Sequence, residues 1–168
     1  VKSLFINPLI DKKAFKNNFN KHKFGFYLTG TVTSYRHESF EKLELAILRK
    51  YNKAFFRIDS FKDTANKYNK DIYQFSYNPG QSSSWDYSSP TRLYRSINFN
   101  HSIPIIDKRS FDADIEELAI VLDDKIADYS SQLSTNSEIF NAYLDKIDIY
   151  NKKSKKINSV FFENFKEL

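Results

Sequence analysis

The chain alternates between two kinds of hydrophobic pattern. The run FGFYLTGT, residues 24–31, is apolar and aromatic up to Gly30, as expected of a buried strand closed by a turn. From Glu38 the period lengthens. Phe40, Leu43, Ala46, Ile47 and Tyr51 fall at steps of three and four, with Glu41, Lys42, Arg49 and Lys50 between them, which predicts an amphipathic helix. KAFFRIDS, residues 53–60, returns to strand-forming residues. Strand, helix and strand within residues 24–60 make a βαβ unit, and therefore a parallel sheet with a right-handed crossover.

Beyond it, residues 62–87 are less regular. DIYQFSYNP reads as a third strand or an aromatic loop, and PGQSSSWD as a loop. PTRLYRSINF predicts a short helix and SIPIID a strand. DADIEELAIVLDDKIADY predicts one strong helix, with Ile115, Leu118, Ala119, Leu122 and Ile126 on a single stripe. Residues 137–168 predict one or two further helices with aromatic faces, and the KKSKK cluster a solvated bend. The expected fold is α/β: a Rossmann-like, open, mostly parallel sheet with helices on both faces and extra C-terminal helices. Residues 1–23 read as a lysine-rich connector, 24–136 as the sheet domain and 137–168 as helices packed on it.

With 168 residues, 40% of them hydrophobic, the chain can bury one full core. It contains no run long enough to span a membrane, lacks a signal-peptide layout and has no cysteine, so a cytoplasmic site is expected and thiol chemistry is excluded. It opens on Val1 and holds no methionine, so part of a larger protein is expected. The formal charge of +5 suits anionic partners, nucleotide phosphates as well as nucleic acid.

Only three glycines are present, which leaves neither a phosphate-binding P-loop nor a G-x-G-x-x-G fingerprint. His22, His37 and His101 lie far apart, and no metal or cofactor is expected. The acidic pairs Asp112/Asp114, Glu116/Glu117 and Asp123/Asp124 suit helix ends and solvated faces better than acid–base chemistry. Two strand-to-helix loops remain. TGTVTSYRHES offers Gly30, Thr31 and Arg36; SSPTR offers Ser88, Ser89, Thr91 and Arg92 around Pro90 at a helix start. Ser89 suits the N-cap and Pro90 the first helical position, so a phosphate there would meet free amides, hydroxyls and a guanidinium. The same residues also make an ordinary helix start that binds nothing.

A strand ending in TGT, YR at the head of a helix, and SSPTRLYRSINFNHSIPIID followed by IEELAIVLDD together resemble the C-terminal nucleotide-sugar-binding half of GT-B glycosyltransferases, over residues 24–128. The resemblance implies that the donor diphosphate lies over Gly30, Thr31 and Arg36 and over Ser89, Thr91 and Arg92. It also implies sugar transfer without a bound metal, and a catalytic base on another lobe, so that this chain alone binds donor without turnover. The partners it implies are a nucleotide sugar, an N-terminal acceptor-binding domain or partner chain and, peripherally, a membrane; DNA is not among them. The chain departs from the family where a glutamate often holds the donor ribose, offering Ser96, Asn98 and Asn100, and where the late strand is usually preceded by glycine. Two other classes stay open: a basic, aromatic-rich nucleic-acid module that uses Tyr73, Phe75, Tyr77, Trp85 and Tyr87, and a small interaction domain with Asp59 and Asp107 at strand ends.

Overall fold

The computed structural model describes residues 7–60, 73–85, 87–107, 109–110 and 113–166. Its strands are β1 (Lys23–Gly30), β2 (Phe55–Ser60), β3 (Tyr73–Tyr77), β4 (Tyr87–Ser88), β5 (Ile103–Ile106), β6 (Arg109–Ser110) and β7 (Ile120–Val121). Its helices are α1 (Lys12–Phe19), α2 (Ser34–Leu48), α3 (Pro90–Asn98), α4 (Ala113–Glu116), α5 (Ile126–Thr135) and α6 (Ser137–Lys166). Five strands form the main sheet in the order β2-β1-β3-β5-β7, all parallel, while β4 and β6 make a small parallel pair of their own. The chain steps outward from β1 to β2, then crosses to β3 and continues the other way. Right-handed crossovers in opposite directions cover opposite faces, so the fold is the expected Rossmann-like α/β layer with its switch point between β1 and β3.

The central strands are buried along their whole length, as strands covered on both faces must be: every residue of β3 and β5 is buried. Gly25 is where the sheet is tightest. A Cβ there would come within 2.7 Å of the Phe55 carbonyl oxygen, and the rings of Phe55 and Tyr73, from the strands on either side, stack across the glycine at 6.0 Å and 6°.

Helix α2 begins at Ser34, four residues ahead of the expected start at Glu38, because Thr33 caps it, its side-chain oxygen accepting from the Arg36 amide. Arg36, Ser39, Phe40, Leu43 and Ile47 form its buried face. The single helix expected over residues 112–129 is three elements instead. Residue 112 lies outside the described residues, α4 ends at Glu116, and Leu118 and Ala119 close its last turn on Ile115 and Glu116. Ile120 and Val121 then pair with Ile105 and Ile106. The helical spacing of these apolar residues is real, but β5 has a free edge there, and β-branched residues that complete a sheet bury more than a helix lying outside it.

The tail is one helix of 30 residues, and KKSKK lies inside it, where the expected bend does not occur. Phe140, Tyr143, Leu144, Ile147, Tyr150 and Ser154 make its buried stripe, which leaves the lysines around Ser154 on other faces. No described helix is both long and apolar enough to cross a membrane. From residue 7 onward the stretch expected as a connector is packed into the fold: Phe15 and Phe19 of α1 are fully buried, and residues 7–10 lie along α6. Asn151 and Asn158 each hold one backbone residue by both its groups, Ile10 and Asn7 respectively, at 2.8–3.0 Å. Two turns of helix rise about 10.5 Å, close to the span of three extended residues, so the two amides reach the strap in register.

His22, in the turn after α1, has a buried Nδ1 without a hydrogen-bond partner. Burial first, and then the neighbouring His101, lowers its pKa from 6.5 to about 4. The folded state therefore prefers neutral His22, so its stabilising contribution is complete above pH 6.5 and declines as pH falls towards 4, where the unfolded chain takes up a proton and the folded chain does not. The thermal midpoint is expected to fall across that interval, and His22→Gln to make the fall shallower; equal slopes by circular dichroism would contradict the assignment.

Candidate functional site

All loops that follow the strands of a parallel sheet leave at one edge, and the features singled out in the sequence lie there. β1 ends at Gly30 with φ +103, a conformation that favours glycine, and the space around its missing Cβ is empty to 4 Å. The chain continues through exposed Thr31 into α2. Thr33 also donates to the Gln81 carbonyl at 2.9 Å, which joins this loop to the one after β3.

Arg36 makes the same junction with its whole side chain. It is 1% exposed and donates from Nη1 to the Thr31 carbonyl at 2.6 Å, from Nε to Gly80 at 3.2 Å and from Nη2 to Pro79 at 3.3 Å. A planar fork with five N–H groups is the one side chain able to serve three carbonyls from two loops at once. Among the described residues no carboxylate pairs with it, so carbonyl dipoles solvate its charge while its field persists at the edge.

Asp107, directly after β5, completes the connection. Its carboxylate accepts from the Gly80 amide at 2.9 Å and from the Tyr35 hydroxyl at 2.8 Å. Burial and then this carboxylate push the Tyr35 pKa up to about 12, so the phenol stays a donor. The ends of β1, β3 and β5 and the head of α2 are thereby tied together through residues 78–81.

The second segment arrives at the same place. β4 pairs with β6 immediately ahead of α3, and Ser88, fully buried, donates to the Asn78 carbonyl at 2.9 Å. Ser89 occupies the N-cap, but its hydroxyl makes no capping bond, and Pro90 is the first helical residue. The Arg92 and Leu93 amides both turn back to the Ser89 carbonyl, at 3.1 and 3.4 Å. Thr91 is exposed at the helix mouth. Arg92 is half-buried, its pKa is lowered by burial, and its guanidinium has no hydrogen-bonding or ionic partner among the described residues.

The two loops thus share the carboxyl edge, but their residues divide by role. Arg36 and Ser88, expected to touch a ligand, are spent inside the protein and position the loops. Gly30, Thr31, Ser89, Thr91 and Arg92 are left facing the edge or open to it. Tyr73, Phe75 and Tyr77 are core residues of β3, whereas Trp85, on the loop, and Tyr87, in β4, are exposed. Among the described residues no cluster of His, Asp or Glu is arranged to hold a metal ion. Sequence reasoning missed Thr33, Tyr35, Asn78 and Gly80 and weighed Asp107 for a different role. The one available signal was local: Thr33 stands three residues ahead of Arg36, the spacing of a capping threonine.

No family model, no curated protein and no solved structure matches this chain. Its site is therefore described by its own geometry.

Arg36→Ala would leave the buried Pro79 and Gly80 carbonyls and the part-buried Thr31 carbonyl without this donor, and the expected loss is about 3 kcal/mol in urea denaturation. Arg36→Lys should recover little of it, because one ammonium cannot span both loops. A loss below about 1 kcal/mol would show that the clamp is not structural.

Proposed function

We propose that this chain is the donor-binding lobe of a glycosyltransferase, one that seats the diphosphate of a nucleotide sugar at the head of α3. The observation that carries the reading is Arg92: a half-buried guanidinium without a partner among the described residues, in the first turn of a helix whose N-cap hydroxyl makes no capping bond, beside the switch point of a parallel sheet. A diphosphate there accepts from Arg92, from the hydroxyls of Ser89 and Thr91 and from the Thr91 amide, with the positive end of the α3 dipole behind them. Gly30 lets the other loop approach the phosphates without a side chain in the way, and the field of Arg36 adds to theirs.

In sugar transfer the leaving diphosphate gains negative charge as the glycosidic bond breaks, and donors fixed before the reaction stabilise that charge without reorganisation. Exposed Trp85, in the loop ahead of β4, offers a face on which the base can stack. The base that activates the acceptor belongs to another lobe or chain, so donor binding without turnover is the activity expected here. The nucleic-acid reading loses support because most of the aromatic residues it would use, Tyr73, Phe75 and Tyr77 among them, lie in the core.

Calorimetry with UDP, GDP, ADP and CMP should show binding of at least one diphosphate, with Arg92→Ala weakening it roughly 10- to 100-fold, the worth of one charge-assisted hydrogen bond. Silence with every nucleotide, or an unchanged affinity in the variant, overturns the reading. Salt-dependent binding of single-stranded RNA in place of nucleotides would favour the nucleic-acid module.

A further inference from the structure

At β7, the strand at the end of the sheet opposite β2, a pocket of about 500 Å³ opens beside the loop that leads to α5, lined by Ala119, Ile120, Val121, Asp123, Lys125, Asp128, Tyr129 and Gln132. That volume falls within the range of small-molecule sites. Its lining mixes apolar Ala119, Ile120 and Val121 with polar and charged side chains.

The backbone of β7 adds directionality. Leu122 donates to the Ile106 carbonyl at 2.7 Å, and Ile106 is the register partner of Val121. In a parallel ladder alternate residues turn both backbone groups to the same neighbour, so Leu122 and Ile120 face β5 and Val121 turns its N–H and C=O away from it, towards the pocket. Val121 is 55% exposed, and neither of these groups bonds to another described residue outside the ladder. A further peptide strand would need several such residues in a row. The flanking ones are already engaged: the Ala119 amide donates to Glu116 at 2.9 Å, and the Asp123 carbonyl accepts from Ile126 at 3.3 Å. What remains is one donor and one acceptor in a common plane, the complement of a single amide-like edge.

The charges narrow the ligand further. Asp128 is held by Lys50 at 2.7 Å, and Asp123 accepts the Lys125 amide at 2.9 Å with one carboxylate oxygen. With Asp128 neutralised by Lys50 and Asp123 set against Lys125, the pocket carries no net positive charge to draw a phosphate, whereas the second Asp123 oxygen suits a sugar hydroxyl. We propose that this pocket binds an uncharged nucleoside or nucleobase, whose adjacent N–H and acceptor pair with the C=O and N–H of Val121. The site shares no residue with the diphosphate seat and does not depend on it.

The test is a series of amide-resolved NMR titrations of the whole chain with uridine and adenosine at millimolar concentrations, and with 3-methyluridine and N6,N6-dimethyladenosine, which lack the base N–H. At least one nucleoside should shift the amides of residues 119–132, Val121 above all, and its methylated analogue should bind at least tenfold more weakly. Arg92→Ala should leave this binding unchanged, and the corresponding 5′-diphosphate should bind here more weakly than the nucleoside. Val121→Pro removes only the outward N–H, which an edge strand tolerates, and should abolish the shifts. Should that variant fail to fold, the comparison with the methylated analogue in the unaltered protein decides. Silence with both nucleosides, equal binding of the methylated analogues, retained binding in Val121→Pro, or shifts confined to residues 30–36 and 89–92 overturns the proposal.

Discussion

The carboxyl edge of the sheet depends on one side chain, the Arg36 guanidinium, which sits on three carbonyls belonging to two loops. A parallel sheet that reverses direction between β1 and β3 leaves a crevice there, because the connections on its two sides run apart. An open crevice would expose the carbonyls of Thr31, Pro79 and Gly80 to nothing but water. Arg36 satisfies them from inside, and Asp107 fixes the Gly80 amide from the next strand. The edge is thus rigid before any ligand arrives.

That rigidity gives Arg92 its meaning. A guanidinium burying part of its surface without a partner costs free energy, and such a cost persists in a fold mostly where something else benefits. The hydrogen bond from Ser88 to Asn78 and the pairing of β4 with β6 hold the head of α3 beside the loop that Arg36 anchors. Two arginines then occupy one edge in complementary conditions, one bonded to three carbonyls, the other without a partner among the described residues.

The sheet was legible in the sequence because buried parallel strands are uninterrupted apolar runs and α2 has a clean helical stripe. The edge strand was not. Ile115, Leu118, Leu122 and Ile126 satisfy a helical period whether or not a helix forms, and only the free side of β5 makes residues 120–121 extended. Phe15 and Phe19 were diluted by lysine and asparagine, which concealed a helix that buries two rings. Pairing over long separations cannot be read locally. Arg36 finds its carbonyls 43 and 44 residues away, and Asn158 finds the Asn7 backbone at a separation of 151.

The central claim is that the mouth of α3, held against the β1 loop, seats a diphosphate. Amide hydrogen exchange measured with and without UDP tests it most directly. The account predicts slower exchange at residues 91–93 together with residues 30 and 31, and unchanged exchange across α6. Protection absent from the α3 mouth, or appearing only on another edge of the sheet, would contradict it.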